Sequence, residues 1–386
     1  TPRLSSAASD VYKRQVPETS GVRLDLAALA ADPPLGLPPL EKPPVQAEID
    51  LGRRLFYDRR LSANQTLSCG ICHVPEQAFA QNELATPVGI EGHFVRRNAP
   101  SLYNVGYRPR LFHDGRETSL SKQIFSPLTA PNEMGNASPA AVLERIAVLS
   151  DYRTRFEALF DEGLSADTLG RVLAAYQRAL LSADSPFDRW FYRGDTDALS
   201  QDAKAGFFLF NSVGCGDCHT FSHSHAHFTD DAFHRTGIEV ASREREARPQ
   251  PFLQVAPGVT IPLAVSIPAP DRNDLGLEEV TGSSGDRFRY RTPSLRNVAL
   301  TAPYMHDGSL TSLMAVVDFY AGGVEVDPDR DPRLVPLDLT AGEKRKLVAF
   351  LESLTGSNVA DLALDARSVA IGERGAPAAP TEANAR

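Results

Sequence analysis

Cys69-Gly70-Ile71-Cys72-His73 and Cys215-Gly216-Asp217-Cys218-His219 hold all four cysteines of the 386-residue chain. C-x-x-C-H is the attachment pattern of c-type haem, because two thiols so spaced can add to both vinyl groups while the following imidazole reaches the iron. A redox thiol pair or half a zinc site would account for C-x-x-C, but neither needs the histidine or a second copy. No cysteine remains for a disulfide. The sequence therefore predicts two covalently bound haem c groups, on Cys69 and Cys72 and on Cys215 and Cys218, with His73 and His219 as iron ligands.

A longer repeat surrounds the motifs. Asn98-Ala99-Pro100-Ser101-Leu102-Tyr103-Asn104-Val105 returns as Arg291-Thr292-Pro293-Ser294-Leu295-Arg296-Asn297-Val298, and Phe112-His113-Asp114-Gly115 returns as Met305-His306-Asp307-Gly308. Pro100 to Pro293, Asn104 to Asn297 and His113 to His306 share one offset, 293 − 100 = 193. The haem histidines are closer, 219 − 73 = 146, so the second half carries 193 − 146 = 47 extra residues, placed in the irregular stretch from Phe221 to Arg289. The two halves read as duplicated haem domains.

Between these landmarks the pattern is helical. Residues 33–44 are a proline-rich extended lead-in, after which Ile49, Leu51, Leu55 and Phe56 mark an amphipathic helix. Ser138-Pro139 opens another, since serine caps and proline suits the first turn. Ser165 to Ser182 carries Leu169, Leu173, Tyr176 and Leu180 on one face. Thr340 and Glu343 form a capping box ahead of Leu347, Phe350, Leu351 and Leu354, and Gly356 is expected to close that helix. Strand patterns are scarce. The expected fold is all-α: two cytochrome c-like haem domains related by internal duplication, with long irregular loops.

The net charge of −9, with haem propionates to add, argues against nucleic acid as a partner. No apolar run is long enough for a transmembrane segment. Haem attachment of this kind takes place outside the bacterial cytoplasm, so a periplasmic protein with a signal peptide is expected. Residues 4–15 resemble a translated sequencing adapter, and the true leader is expected to have been lost with them.

Duplication makes differences between the halves readable. Tyr320 maps by the common offset to 320 − 193 = 127, which is Pro127. If that slot faces the iron opposite the proximal histidine, one haem is open to a small oxidant and the other is closed by a phenol. On these residues alone Tyr320 reads as a core aromatic on a helix with Leu313, Val316 and Val317.

From Leu51 to Gly356 the chain resembles the bacterial di-haem cytochrome c peroxidases, and within them the MauG-like branch of methylamine-utilisation and methanobactin-associated enzymes. Leu111-Phe112-His113-Asp114-Gly115-Arg116 through Gln123, Pro127 and Glu133-Met134-Gly135 is similar to that family's peroxide pocket. Arg296-Asn297-Val298 through Pro303-Tyr304-Met305-His306-Asp307-Gly308 is similar to the segment before the second haem's sixth ligand, a methionine in the peroxidases and a tyrosine in MauG. Tyr320 falls in that register, and Met314 does not.

The resemblance implies catalytic roles for Glu133 as proton carrier, Gln123 as hydrogen-bond partner of bound peroxide and His113 as the group between the haems. It also implies a calcium ion held by Asn98 and the carbonyls of Thr301 and Pro303, a hard-oxygen set. On sequence alone Glu133 could be an exposed loop carboxylate. His113 stands where the family has tryptophan; imidazole is harder to oxidise than indole, and His113 could simply repeat His306. His93, near a removable iron ligand of the peroxidases, is out of register and reads as a surface loop residue. His223, His225 and His227 could bind copper or zinc but read as a solvated loop. His234 reads as a packing or hydrogen-bonding residue, and Trp190 and Tyr192 as core aromatics or surface redox relays.

The implied organisation is an artefactual or disordered segment over 1–40, a peroxide-binding haem domain over 41–199, an electron-transfer haem domain over 200–357 and a disordered tail over 358–386. The implied function is to use hydrogen peroxide to form a high-valent di-haem state that oxidises a secreted protein substrate, at tryptophan residues. The alternatives are a peroxidase fed by a small cytochrome as redox partner, and a di-haem electron carrier.

Overall fold

The computed structural model describes residues 23–241, 253–256, 259–261, 274–322 and 327–369. Among them the helices are α1 (Leu26–Ala31), α2 (Gln46–Phe56), α3 (Cys69–Cys72), α4 (Leu120–Gln123), α5 (Phe125–Thr129), α6 (Pro139–Ala147), α7 (Ser150–Leu159), α8 (Ala166–Arg178), α9 (Pro186–Arg193), α10 (Gln201–Ser212), α11 (Glu278–Thr281), α12 (Leu313–Gly322), α13 (Ala341–Glu352) and α14 (Val359–Arg367). Two short antiparallel ribbons join them: β1 (Phe233–His234) with β4 (Tyr290–Arg291), and β2 (Leu253–Ala256) with β3 (Val259–Ile261). The chain is mainly helical, and β1, β2 and β3 fall in the stretch expected to be irregular. Within the stretch assigned the 47 extra residues, 242–252, 257–258 and 262–273 lie outside the described residues.

Helix starts follow the caps. Ser138 accepts from the Ala141 amide with Pro139 in the first turn. Ser165 with Thr168, and Thr340 with Glu343, cap reciprocally, each cap contributing about 1 kcal/mol. α13 ends sooner than expected, at Glu352, because Ser353 caps it; Gly356 lies beyond, against Ser182 and Ala183.

One crossing recurs. α2 meets α8 at Gly52, where any Cβ would strike the Val172 carbonyl and then Tyr176. α10 meets α13 at Gly206, where it would strike the Lys346 carbonyl and Phe350. The contacted pairs are equally spaced, 346 − 172 = 350 − 176 = 174. Absence of a side chain lets the two backbones touch and places an aromatic at each crossing. Around the first crossing packs a core with Ile49, Leu55, Phe56, Phe79, Val172 and Tyr176. Around the second packs one with Phe187, Phe207, Phe210, Phe228, Leu347 and Phe350.

Both ends of the described chain depart from expectation. α1 begins at a capping Asp25 and buries Leu26 and Ala30, so residues 23–40 are packed. α14 buries Leu362 and Ala366 in the first core, and its Asp365 pairs with the buried Arg53 at 2.6 Å. Alanine-rich composition reads as tail, yet the apolar residues Val359, Leu362 and Ala366 recur at helical spacing and find a partner surface. Residues 1–22, including the adapter-like run, and 370–386 lie outside the described residues.

The lead-in is tied to the second half through Arg296, whose guanidinium binds both oxygens of Asp188 at 2.8 and 2.9 Å and the Gly36 carbonyl at 2.7 Å. Both side chains are shielded, at 1% and 0% exposure. Removing one member strands a buried charge. Arg296→Ala is expected to lower stability by about 3–5 kcal/mol, read as a fall in the urea midpoint of the holoprotein.

Candidate functional site

α3 is a single turn, so Cys69 and Cys72 stand on one side of it with His73 immediately after. His73 Nδ1 lies 2.9 Å from the Phe79 carbonyl. A carbonyl can only accept, so Nδ1 carries the proton and Nε2 keeps its lone pair for a metal. Burial holds the His73 pKa below its ordinary value, against the pull of the Phe79 and Pro100 carbonyls, and keeps the ring neutral. In the second half His219 Nδ1 lies 3.0 Å from the Phe228 carbonyl. Burial again lowers its pKa, opposed by Phe228 and by Pro293, the repeat partner of Pro100.

A cleft of about 690 Å³, its mouth included, opens over the first motif. Cys69, Cys72, His73, Gln123, Pro127 and Glu133 line it, with apolar walls from Phe56, Leu67, Leu102, Ile124, Leu128 and Met134. Gln123 closes α4, Pro127 sits within α5, and Glu133 follows on a turn whose amide donates to the Ala130 carbonyl. Residues distant in sequence are thus brought to one wall. Burial raises the Glu133 pKa, with Arg116 opposing, so this carboxyl is easier to protonate than an exposed one.

α12 carries Tyr320. Burial raises the phenol's pKa, and Cys215 and Cys218 raise it further, so the phenol is within electrostatic reach of the second motif. Pro127 lines the cleft over the first motif.

These surroundings fit haem c at both places. Among the described residues no cysteine is paired with another, and burial pushes the thiols up, Cys69 and Cys72 to about 12 and Cys215 to about 11. Surroundings that disfavour a charged thiolate suit a neutral thioether, and each motif presents a neutral imidazole with Nε2 available.

His113 donates from Nε2 to the Asn98 carbonyl at 3.0 Å. Burial, then the nearby Arg97 charge, lower its pKa to about 3, so it is neutral. Asn98 donates its backbone amide to the His306 carbonyl at 2.7 Å and its side-chain amide to Ala85 at 2.9 Å. Thr301 and Pro303 follow a short 3-10 turn, Val298–Leu300, and the Thr301 hydroxyl donates back to Val298. The oxygens of Asn98, Thr301 and Pro303 are of the type calcium prefers.

A feature that sequence reasoning missed lies here. The Tyr290 and His306 rings stack at 3.8 Å and 13°. Arg97 lies over the Tyr290 ring at 5.7 Å and is clamped by Asp274 and Asp114, both at 2.6 Å. His306 Nε2 is 3.1 Å from Glu239. Tyr290 immediately precedes the repeated Arg291 segment and His306 is itself a repeat position, which was the available signal.

The remaining candidates stand apart. His93 is exposed. His225 and His227 have rings 5.3 Å apart, with Tyr107 at 4.8 Å from His227, while His223 is exposed. His234 bridges Asp230 and Asp331 at 2.9 and 2.8 Å. Cys218, Asp230 and His234 approach closely enough to hold a metal, but Cys218 belongs to the second motif. Trp190 packs against Phe187 and Phe207, and Tyr192 donates to the Ser222 carbonyl at 3.0 Å.

Residues 46–197 match the di-haem cytochrome c peroxidase family. The methylamine utilization protein MauG of Methylorubrum extorquens is 36% identical over 338 residues, covering 86% of this chain and 85% of its own. Cytochrome c551 peroxidase of Nitrosomonas europaea is 31% identical over 309 residues, 80% and 79% of the two chains. The crystal structure of a MauG-like protein associated with microbial copper homeostasis superposes with TM-score 0.66 at 32% identity, over 85% of this chain and 95% of that one.

Proposed function

Because this chain belongs to the di-haem cytochrome c peroxidase family, in its MauG-like branch, and is a haem-dependent peroxidase-type oxidoreductase, we propose that it uses hydrogen peroxide to oxidise a partner protein at tryptophan side chains. The observation that carries this reading is the asymmetry of one slot: Pro127, without a ligating atom, lines the first cleft, while the Tyr320 phenol stands within electrostatic reach of Cys215 and Cys218 at the second motif.

Cys69, Cys72 and His73 would hold one haem and Cys215, Cys218 and His219 the other. Bound haem would supply an iron that accepts peroxide and exchanges electrons. Glu133 takes a proton from the inner oxygen of peroxide and returns it to the outer one, and the Gln123 carboxamide orients that outer oxygen. The apolar wall keeps bulk water from competing. Tyr320 excludes small oxidants from the second site. His113, neutral and hydrogen-bonded, lies between the two.

The peroxide-facing site belongs to a unit over 41–199 and the charge-holding site to one over 200–357, related by duplication, as the recurring glycine crossing supports. α1 and α14 extend the first unit. We place the protein in the periplasm and a calcium ion at Asn98, Thr301 and Pro303.

The test is to add hydrogen peroxide to the diferric holoprotein and follow optical and electron paramagnetic resonance spectra. A long-lived two-electron-oxidised protein, formed without prior reduction, is expected. Inertness until half reduced would move the function to a peroxidase drawing on a small cytochrome. Attachment is checked separately: Cys69→Ser with Cys72→Ser should halve covalent haem on a denaturing gel and leave the second site's spectrum in place.

A further inference from the structure

We propose that the Tyr290–His306 ring stack is the electronic bridge between the two haem sites. This rests on the di-haem reading above. The stack lies where the two halves of the repeat are joined. On one side, the His306 carbonyl accepts from the Asn98 amide at 2.7 Å, and Ser101, three residues further, donates to the Ala78 carbonyl at 2.6 Å, next to Phe79, whose carbonyl accepts from His73 Nδ1 at 2.9 Å. On the other side, Tyr290 lies two residues before Thr292, whose carbonyl accepts from the Thr229 hydroxyl at 2.7 Å, next to Phe228, whose carbonyl accepts from His219 Nδ1 at 3.0 Å. The path from one proximal histidine to the other thus runs through Phe79, Ser101, Asn98, His306, Tyr290, Thr292 and Phe228, joined between segments by these hydrogen bonds and one ring contact of 3.8 Å.

His113 ties the same place together, accepting from the Arg291 amide at 2.8 Å and donating to Asn98. Its side chain is held by hydrogen bonding rather than by the ring stack. Tyr290 and His306 are both buried and both clamped. Arg97, fixed by two carboxylates, covers the phenol ring, and Glu239 holds His306 Nε2. Rings that cannot move need little rearrangement when charge passes, and contact between them maintains electronic overlap.

With the proton moved by Glu133, breaking the O–O bond would release one water and leave one oxygen at the first site, a two-electron oxidation of the protein that takes up no further proton. One electron would come from the first haem site and the second from the other, across the stack, with Tyr290 and His306 unchanged at the end and neither gaining nor losing a proton.

The experiment is electron backflow between the haems of half-reduced holoprotein after flash photolysis of carbon monoxide from the first site, followed by absorbance, with both midpoint potentials recorded. Tyr290→Leu is expected to slow the transfer on the order of tenfold or more, and Tyr290→Phe, which retains the ring, to keep it within about twofold, with potentials unmoved. His306→Leu removes the opposite ring and serves if Tyr290→Leu does not fold. An unchanged rate in the leucine variants overturns the bridge, and so does a phenylalanine variant as slow as leucine, since the phenol itself would then be the carrier. Absence of transfer in the unaltered holoprotein would instead bring down the di-haem reading on which the bridge rests.

Discussion

Glu133→Gln is expected to reduce peroxide-dependent turnover by about 10²–10⁴-fold, the range lost when a positioned proton carrier is removed, while both haems stay attached. Glutamine keeps the size and polarity of the side chain, and Glu133 lies on the cleft wall rather than in a core, so stability should change little. The pH profile separates proton transfer from packing. Because burial raises this carboxyl's pKa, it becomes protonated, and loses its capacity as a base, at a higher pH than an exposed glutamate would. The unaltered protein should therefore lose rate on the acid side at a pH above the usual carboxylate range, and the glutamine variant should lack that limb. If the limb persists in Glu133→Gln, another group carries the proton.

Tyr320→Phe should abolish the long-lived oxidised protein while sparing the fold. The ring that packs beside Phe319 is retained and only the oxygen is lost. An axial oxygen is a strong determinant of haem potential; its removal should raise the second haem's midpoint on the order of 0.1 V, a fraction of the ~0.8 V that axial ligands command. Stopped-flow spectra after peroxide addition and a potentiometric titration read the two effects. An unmoved potential would return Tyr320 to the role of a core aromatic.

How much of this could be read from the sequence differs by residue. The two C-x-x-C-H motifs and the caps at Ser138, Ser165 and Thr340 are local chemistry, and local chemistry is legible. The convergence of Gln123, Pro127 and Glu133 on Cys72 became visible only through register with related sequences, because nothing in those side chains announces a common wall. α14 was read as tail because its composition is alanine-rich and polar; its stabilisation comes from Leu362 and Ala366 entering a core built some 190 to 340 residues earlier. The Tyr290–His306 stack depends on two segments meeting across the molecule, and periodicity carries no record of such meetings.

The return of α14 to the first core also orders events in time. Synthesis runs from the amino terminus, so the packing of Phe210, Leu347 and Phe350 in the second core can form before Leu362 and Ala366 have emerged. The half that carries the first motif starts first and is completed last, when Asp365 reaches Arg53. A truncation before Val359 is therefore expected to leave the second core intact and to destabilise the first.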